Sequence, residues 1–317
     1  MNNTRIITIM CWAISALAFL GLAVWFLLGV TSLGLGWNIG GGTFMPVSEH
    51  HVSADGLDSL SIDWTAGAVY IGTHSGNEIQ ITEFARRELR DNEHLSLSTN
   101  NGTLEIFFTE HSRRSSFTVN NNMQAKRLEV LIPYTLGENF DEFRVNTISG
   151  RVSVSNIQAN DFIIGTVSGR IELYSITSPT VRASTTSGRI DISRVQADEI
   201  VLHTVSGRIG ADFTQAATLR TNTTSGRHDL SGSFGYINAR STSGRIIITS
   251  TIIPESLTAR TASGRIDITV PSDSIITVQH STGSGRFTSD IPVATHSGPD
   301  AQFNLSTGSG RITISRL

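Results

Sequence analysis

The sequence predicts an all-β protein: a parallel β-solenoid, or β-helix, of repeats about 19 residues long, preceded by one transmembrane helix. Three observations carry this prediction. The triplet Ser-Gly-Arg occurs nine times at near-constant spacing, apolar residues alternate on both sides of it, and residues 6–48 contain no Asp, Glu, Lys, Arg or His.

Residues 1–5 read as a short cytoplasmic tail and 6–30 as the membrane helix. Ile6 to Val30 is a 25-residue stretch dominated by Ile, Leu, Ala, Val, Phe and Trp, and about 20 apolar residues cross the hydrocarbon core. Arg5 and the terminal amine precede it, and no Lys or Arg follows until Arg86. The positive-inside rule then places the N-terminus in the cytoplasm and the remainder outside. A cleaved signal peptide would have an apolar region of about 7–15 residues ending in a small-x-small site. Here Ala16-Leu17-Ala18 falls mid-stretch, and Ile9-Met10 before Cys11 does not resemble a lipoprotein processing site. Residues 31–56 read as a linker. Its glycines, Gly34 to Gly42, have the wrong spacing for a phosphate loop, and no strand precedes them.

Residues 57–317 read as the solenoid ectodomain, regular from about residue 143. The stretch from Leu57 to Tyr134 is a degenerate beginning. Ser61-Ile62-Asp63-Trp64, Ala68-Val69-Tyr70-Ile71 and Glu78-Ile79-Gln80-Ile81 alternate as strands do, and His74-Ser75-Gly76-Asn77 resembles the corner triplet. Glu110 to Lys126 reads as a polar, exposed loop.

In the regular part the corner glycines are Gly150, Gly169, Gly188, Gly207, Gly226, Gly244, Gly264, Gly285 and Gly310, in steps of 19, 19, 19, 19, 18, 20, 21 and 25 residues. Seven residues before each glycine stands an apolar residue, from Phe143 to Phe303. Two after it stand Val152, Ile171, Ile190, Ile209, His228, Ile246, Ile266, Phe287 and Ile312. Period two means strand, one face buried and one solvated. Each unit is therefore a strand, a sharp corner at a glycine whose backbone a Cβ would penalise, and a second strand. Stacking unit on unit in sequence order buries the apolar face that no unit buries alone.

These features resemble a bacterial family of membrane-anchored "putative adhesins" with DUF4097-type β-strand repeats. The resemblance rests on the N-terminal anchor, on Leu128-Glu129-Val130-Leu131-Ile132-Pro133 before the repeats, and on units such as Thr185-Thr186-Ser187-Gly188-Arg189-Ile190-Asp191-Ile192. It implies a repetitive β fold and a surface role. The family often carries an acid or Asn after Ser-Gly, where this chain has Arg in all nine units.

That arginine column is the candidate site. Arg151, Arg170, Arg189, Arg208, Arg227, Arg245, Arg265, Arg286 and Arg311 should line one outward edge. Like charges about 5 Å apart in water repel by roughly 1 kcal/mol. Glu172, Asp191, Asp229 and Asp267, two residues after four of the arginines, could offset this. The plain expectation is a solvated edge of ion pairs. The sharper one is a ladder that binds an anionic cell-envelope polymer, because five units lack an adjacent acid. A Thr column three residues before the glycine, broken only by Ser241, has inward parity and reads as a hydroxyl ladder.

Other chemistry is not indicated. The net charge of -3 argues against nucleic-acid binding, and the single cysteine allows no internal disulfide. Lys126 is the only lysine. The histidines have no metal-ligand spacing, no cofactor motif is present, and the acids form no glycosidase pair in a cleft. The expectation is a non-enzymatic adhesin or envelope scaffold, with an envelope protein as the other possible partner. A regulatory accessory of envelope-stress signalling is one alternative. A self-stacking polymer is another, motivated by the strand Ile312–Ile314 close to the last residue.

Overall fold

Alternating apolar and polar residues give each strand one face that must leave water, and the chain satisfies this by coiling. The computed structural model describes residues 43–109, 125–137, 140–271, 276–294 and 301–317, and all but Thr43 belong to one compact unit. The expected cytoplasmic tail, the expected membrane helix and part of the expected linker lie outside the described residues. So does the polar stretch 110–124. Among the described residues no helix is long and apolar enough to cross a membrane.

From β8 (Phe140–Ser149) and β9 (Val152–Ser168) onward, one repeat makes one rung, and neighbouring rungs pair in parallel. Register is kept from corner to corner. Ser149 pairs with Ser168, Ser168 with Ser187, Ser187 with Ser206, Ser206 with Ser225 and Ser225 with Ser243. In the first four of these rungs, those of Gly150, Gly169, Gly188 and Gly207, burial parity changes three times, and each change is a bend. In the Gly150 rung Val152 and Val154 are buried, then Ile157 and Ala159, then Phe162, Ile164 and Thr166. The first bend is Ser-Gly-Arg. The second falls six residues past the glycine, where Asn156, Ser175, Arg194 and Phe213 adopt φ of 59°, 56°, 55° and 46°. The third lies between the second and third buried runs. The columns fill the interior, as where Phe143 stacks on Phe162 at 4.9 Å.

The corner glycines are required for a closer reason than expected. A Cβ on Gly169, Gly188, Gly207, Gly226 or Gly244 would sit 1.7–1.8 Å from the carbonyl oxygen of the glycine in the rung before it. The stacking of corner on corner excludes a side chain. Positive φ adds to this at Gly150 (φ +132°).

The N-terminal end departs from the expected parallel repeat. Residues 45–53, expected in the linker, form β1 (Met45–Ser53). It is followed by β2 (Ser59–Ala66), β3 (Val69–His74), β4 (Glu78–Ala85), β5 (Ser96–Asn100), β6 (Thr103–Phe107) and β7 (Arg127–Pro133). β2 and β3 lie in parallel on β8 and β9, and on their other side they carry β6 and β7. Beyond these the direction reverses: β5 on β6, β4 on β7 and β1 on β4 are all antiparallel. The first corner is Ala66-Gly67-Ala68, because the Gly150 Cβ position falls on the Gly67 carbonyl. His74-Ser75-Gly76-Asn77 is instead the link from β3 to β4, where the His74 ring bonds the Gly76 amide. The antiparallel strands end the repeating template, which limits growth of the sheet at this end.

The far end is also not in sequence order. The ninth repeat sits between the seventh and the eighth. Strand Ala301–Ser309 pairs on one side with Ser256–Ser263 and on the other with Ile276–Ser284. Ile312–Arg316 lies likewise between Ile266–Val270 and Phe287–Ser289. The strand near the last residue is therefore interior, and the outermost rung is that of Gly285. The longer steps to Gly285 and Gly310, 21 and 25 residues, supply chain to skip a rung and return, since one rung is about 4.8 Å and a residue spans about 3.3 Å. Being outermost explains why His280, in an otherwise buried column, is exposed. Its ring stacks on Phe287 at 4.0 Å over the end of the core.

Candidate functional site

The triplet corner turns each arginine outward while the next residue dives into the core, so the nine arginines do form one edge. The acids at the third position past the glycine stand between rungs, and three of the four bind two guanidinium groups each. Glu172 meets Arg170 at 2.8 Å and Arg151 at 3.6 Å. Asp191 meets Arg189 at 2.6 Å and Arg170 at 2.9 Å. Asp229 meets Arg227 at 2.6 Å and Arg208 at 2.7 Å, and Asp267 meets Arg245 of the preceding rung at 2.6 Å. Each such pair contributes about 0–1 kcal/mol, being half-exposed. A shallow depression follows the ladder past Tyr174 and Gly210; the latter replaces the acid of its neighbours and abuts the Asp191 carboxylate.

Cross-rung sharing changes the sequence arithmetic. Five units lack an acid of their own at that position, yet six arginines are paired. Among the described residues Arg265, Arg286 and Arg311 alone of the column have no carboxylate within ion-pair distance. They occupy the last three rungs, in the spatial order Arg265, Arg311, Arg286. The acid position carries Thr313 and Thr288 in the two outer rungs, while Asp267 of the third is engaged by Arg245. Two residues before the glycine, earlier rungs carry exposed Val167, Thr186, Val205, Thr224 and Thr242, whereas these three carry Ala262, Gly308 and Gly283. The arginines thus stand beside small residues only.

The Thr column points inward, as its parity predicts. Thr204, Thr261 and Thr307 donate to the corner carbonyls of Gly188, Gly244 and Gly264 at 3.1–3.4 Å. Within the core, two polar residues substitute together: His228 replaces the Ile of its column, and Thr221 faces it at 2.9 Å from Nδ1. Burial lowers the His228 pKa from 6.5 to about 4, so the ring is neutral near pH 7.

Sequence reading missed a buried ion pair. Lys126 is not in an exposed loop but buried immediately before β7, bonded at 2.6 Å to Glu83 of β4. Its ammonium also donates to the carbonyls of Glu93, at 2.7 Å, and Phe108, and lies 4.1 Å over the Phe108 ring. Glu83 accepts from the Leu95 amide at 3.1 Å and the Ser48 hydroxyl at 3.0 Å, and faces His94 at 3.1 Å. Burial pulls the Lys126 pKa down, and Glu83 opposes that shift. The solitary lysine was the only sequence signal. This network ties β1, β4 and β7 together and is structural in character, with every ammonium proton matched to an acceptor. Among the described residues no group of three His, Cys, Asp or Glu side chains could hold a metal ion.

The family model described as Toastrack DUF4097 matches residues 57–315. Among solved structures the chain is similar to a "putative adhesin" from Bacteroides fragilis NCTC 9343, with 14% identity over 87% of this chain and 97% of that one, TM-score 0.50. It is also similar to a "putative adhesin" from Parabacteroides distasonis ATCC 8503, at 12% identity over 88% and 98%, TM-score 0.53. A "putative lipid binding protein" from the same organism gives 14% over 85% and 95%, TM-score 0.52. At these identities the likeness is one of fold alone. No curated protein gives a significant match.

Proposed function

The chain belongs to the Toastrack DUF4097 family, and from that premise we propose that it is a non-enzymatic cell-surface protein, an adhesin or envelope scaffold. In this reading it is a parallel β-solenoid held at a membrane by residues 6–30, with the N-terminus cytoplasmic and the repeats outside. The observation that carries the binding role is the arginine edge. A stacked fold offers a long, regular face rather than an enclosed pocket, and on this face one charged position recurs in every triplet. The family match and the fold likeness to proteins called adhesins support a surface role.

The test is binding of the purified full chain to intact bacterial cells and isolated wall material across a range of salt. Binding that weakens as salt rises is expected, since solvated charges are screened over about 10 Å at 0.1 M. Absence of binding at low salt would contradict the adhesin reading and favour a partner protein in the membrane, as a regulatory accessory would have.

A further inference from the structure

The ladder is chemically two surfaces. Along the first six rungs every guanidinium is paired with one of four acids, and an approaching polyanion would have to displace them. On the last three rungs it would not. Arg265, Arg311 and Arg286 are exposed, in register, and about 4.8 Å apart from rung to rung. Adjacent charges at that spacing repel by roughly 1 kcal/mol in water, and the fold offsets this elsewhere but not here. Beside them the outward column shrinks to Ala262, Gly308 and Gly283. Its backbones pack so closely that a Cβ on Gly283 would lie 2.6 Å from the Gly308 carbonyl oxygen, and one on Gly308 would lie 2.6 Å from that of Ala262. A chain laid along this strip meets nothing larger than Ala262 and the small exposed side chains of Ser263, Ser309 and Ser284 before it reaches the arginines.

We infer that Arg265, Arg311 and Arg286 form a binding site for a linear polyanion whose phosphate or carboxylate groups run along the stack axis. The inference deepens the surface-binding reading and rests on it. Each guanidinium presents a planar fork of donors that suits oxyanions of either kind. Three in line at rung spacing favour a chain over a single small anion. Asp267, the nearest acid of these rungs at the ladder position, is engaged by Arg245. Arg260, on the strand entering the first of these corners, adds positive charge in the same region.

The experiment measures binding of the full chain to linear polyphosphate, to poly-L-glutamate and to neutral dextran, and to phosphatidylglycerol vesicles. It compares the R265Q/R286Q/R311Q variant with R151Q/R170Q/R189Q, which alters only paired arginines. We expect at least one polyanion to bind, a loss of tenfold or more in the first variant and less than threefold in the second, and no dextran binding. Should the first variant melt early, R311Q alone removes the central guanidinium and must still weaken binding several-fold. Equal losses in both triple variants would overturn the site, as would binding to vesicles without binding to either polymer. Cell binding by a chain that ignores both polymers overturns this site and leaves the surface role standing. Polymer binding at these arginines without cell binding supports the site and removes the adhesin role.

Discussion

Lys126 has exchanged water for one carboxylate, two carbonyl groups and an aromatic face, so its value lies in completeness. Removing one partner of such a buried pair strands the other charge, at about 3–5 kcal/mol, whereas replacing both by apolar residues is often neutral. K126M should therefore lower stability to chemical denaturation by that amount, and K126M/E83L should recover most of it; equal loss in both would refute pairing as the cause. His228 gives a pH dependence. Its folded pKa of about 4 lies below the ordinary 6.5, so the unfolded chain binds the proton more readily. The neutral ring's contribution is complete above pH 6.5 and is lost as pH falls toward 4, amounting to about 3 kcal/mol. H228I should flatten that part of the stability profile in denaturation series from pH 7 to 4. An unchanged slope would mean that the ring does not titrate there.

At the scale of elements, the corner decides the fold. A Cβ on Gly207 would lie 1.7 Å from the Gly188 carbonyl oxygen, and that atom belongs to backbone held in the ladder. G207A should cost roughly 3 kcal/mol or more in thermal or urea unfolding, with the rungs forced apart; a cost under about 1 kcal/mol would show that the corners do not stack this closely. The repeat, the alternation, the inward Thr column and the outward arginines were all legible because each unit writes the same local code. Two things at the N-terminal end were not. The antiparallel pairing of β1, β4 and β5 could not be read because these strands lack the triplet, and Glu83 carries no mark in sequence that joins it to Lys126. The order of the last rungs was hidden for the opposite reason: interchangeable rungs fit any neighbour, and only the 21- and 25-residue steps hinted that the chain travels further there.

For the whole molecule, that order determines how the charged edge is composed. Sequence adjacency assigned acids to their own units and left five arginines without one. Stacking lets Glu172, Asp191, Asp229 and Asp267 serve the preceding rung, which leaves three, with Arg311 at their centre. The most direct test of this arrangement is oxidative cross-linking of paired cysteines in a C11S background. In the structure Ser263 is in register with Ser309, about 4.8 Å away, and Ser284 lies one rung further. A disulfide needs Cα atoms about 4.4–6.8 Å apart. The account predicts that Ser263→Cys with Ser309→Cys cross-links readily, while Ser263→Cys with Ser284→Cys does not. The reverse result would mean that the repeats stack in sequence order, with Arg286 rather than Arg311 at the centre of the unpaired cluster.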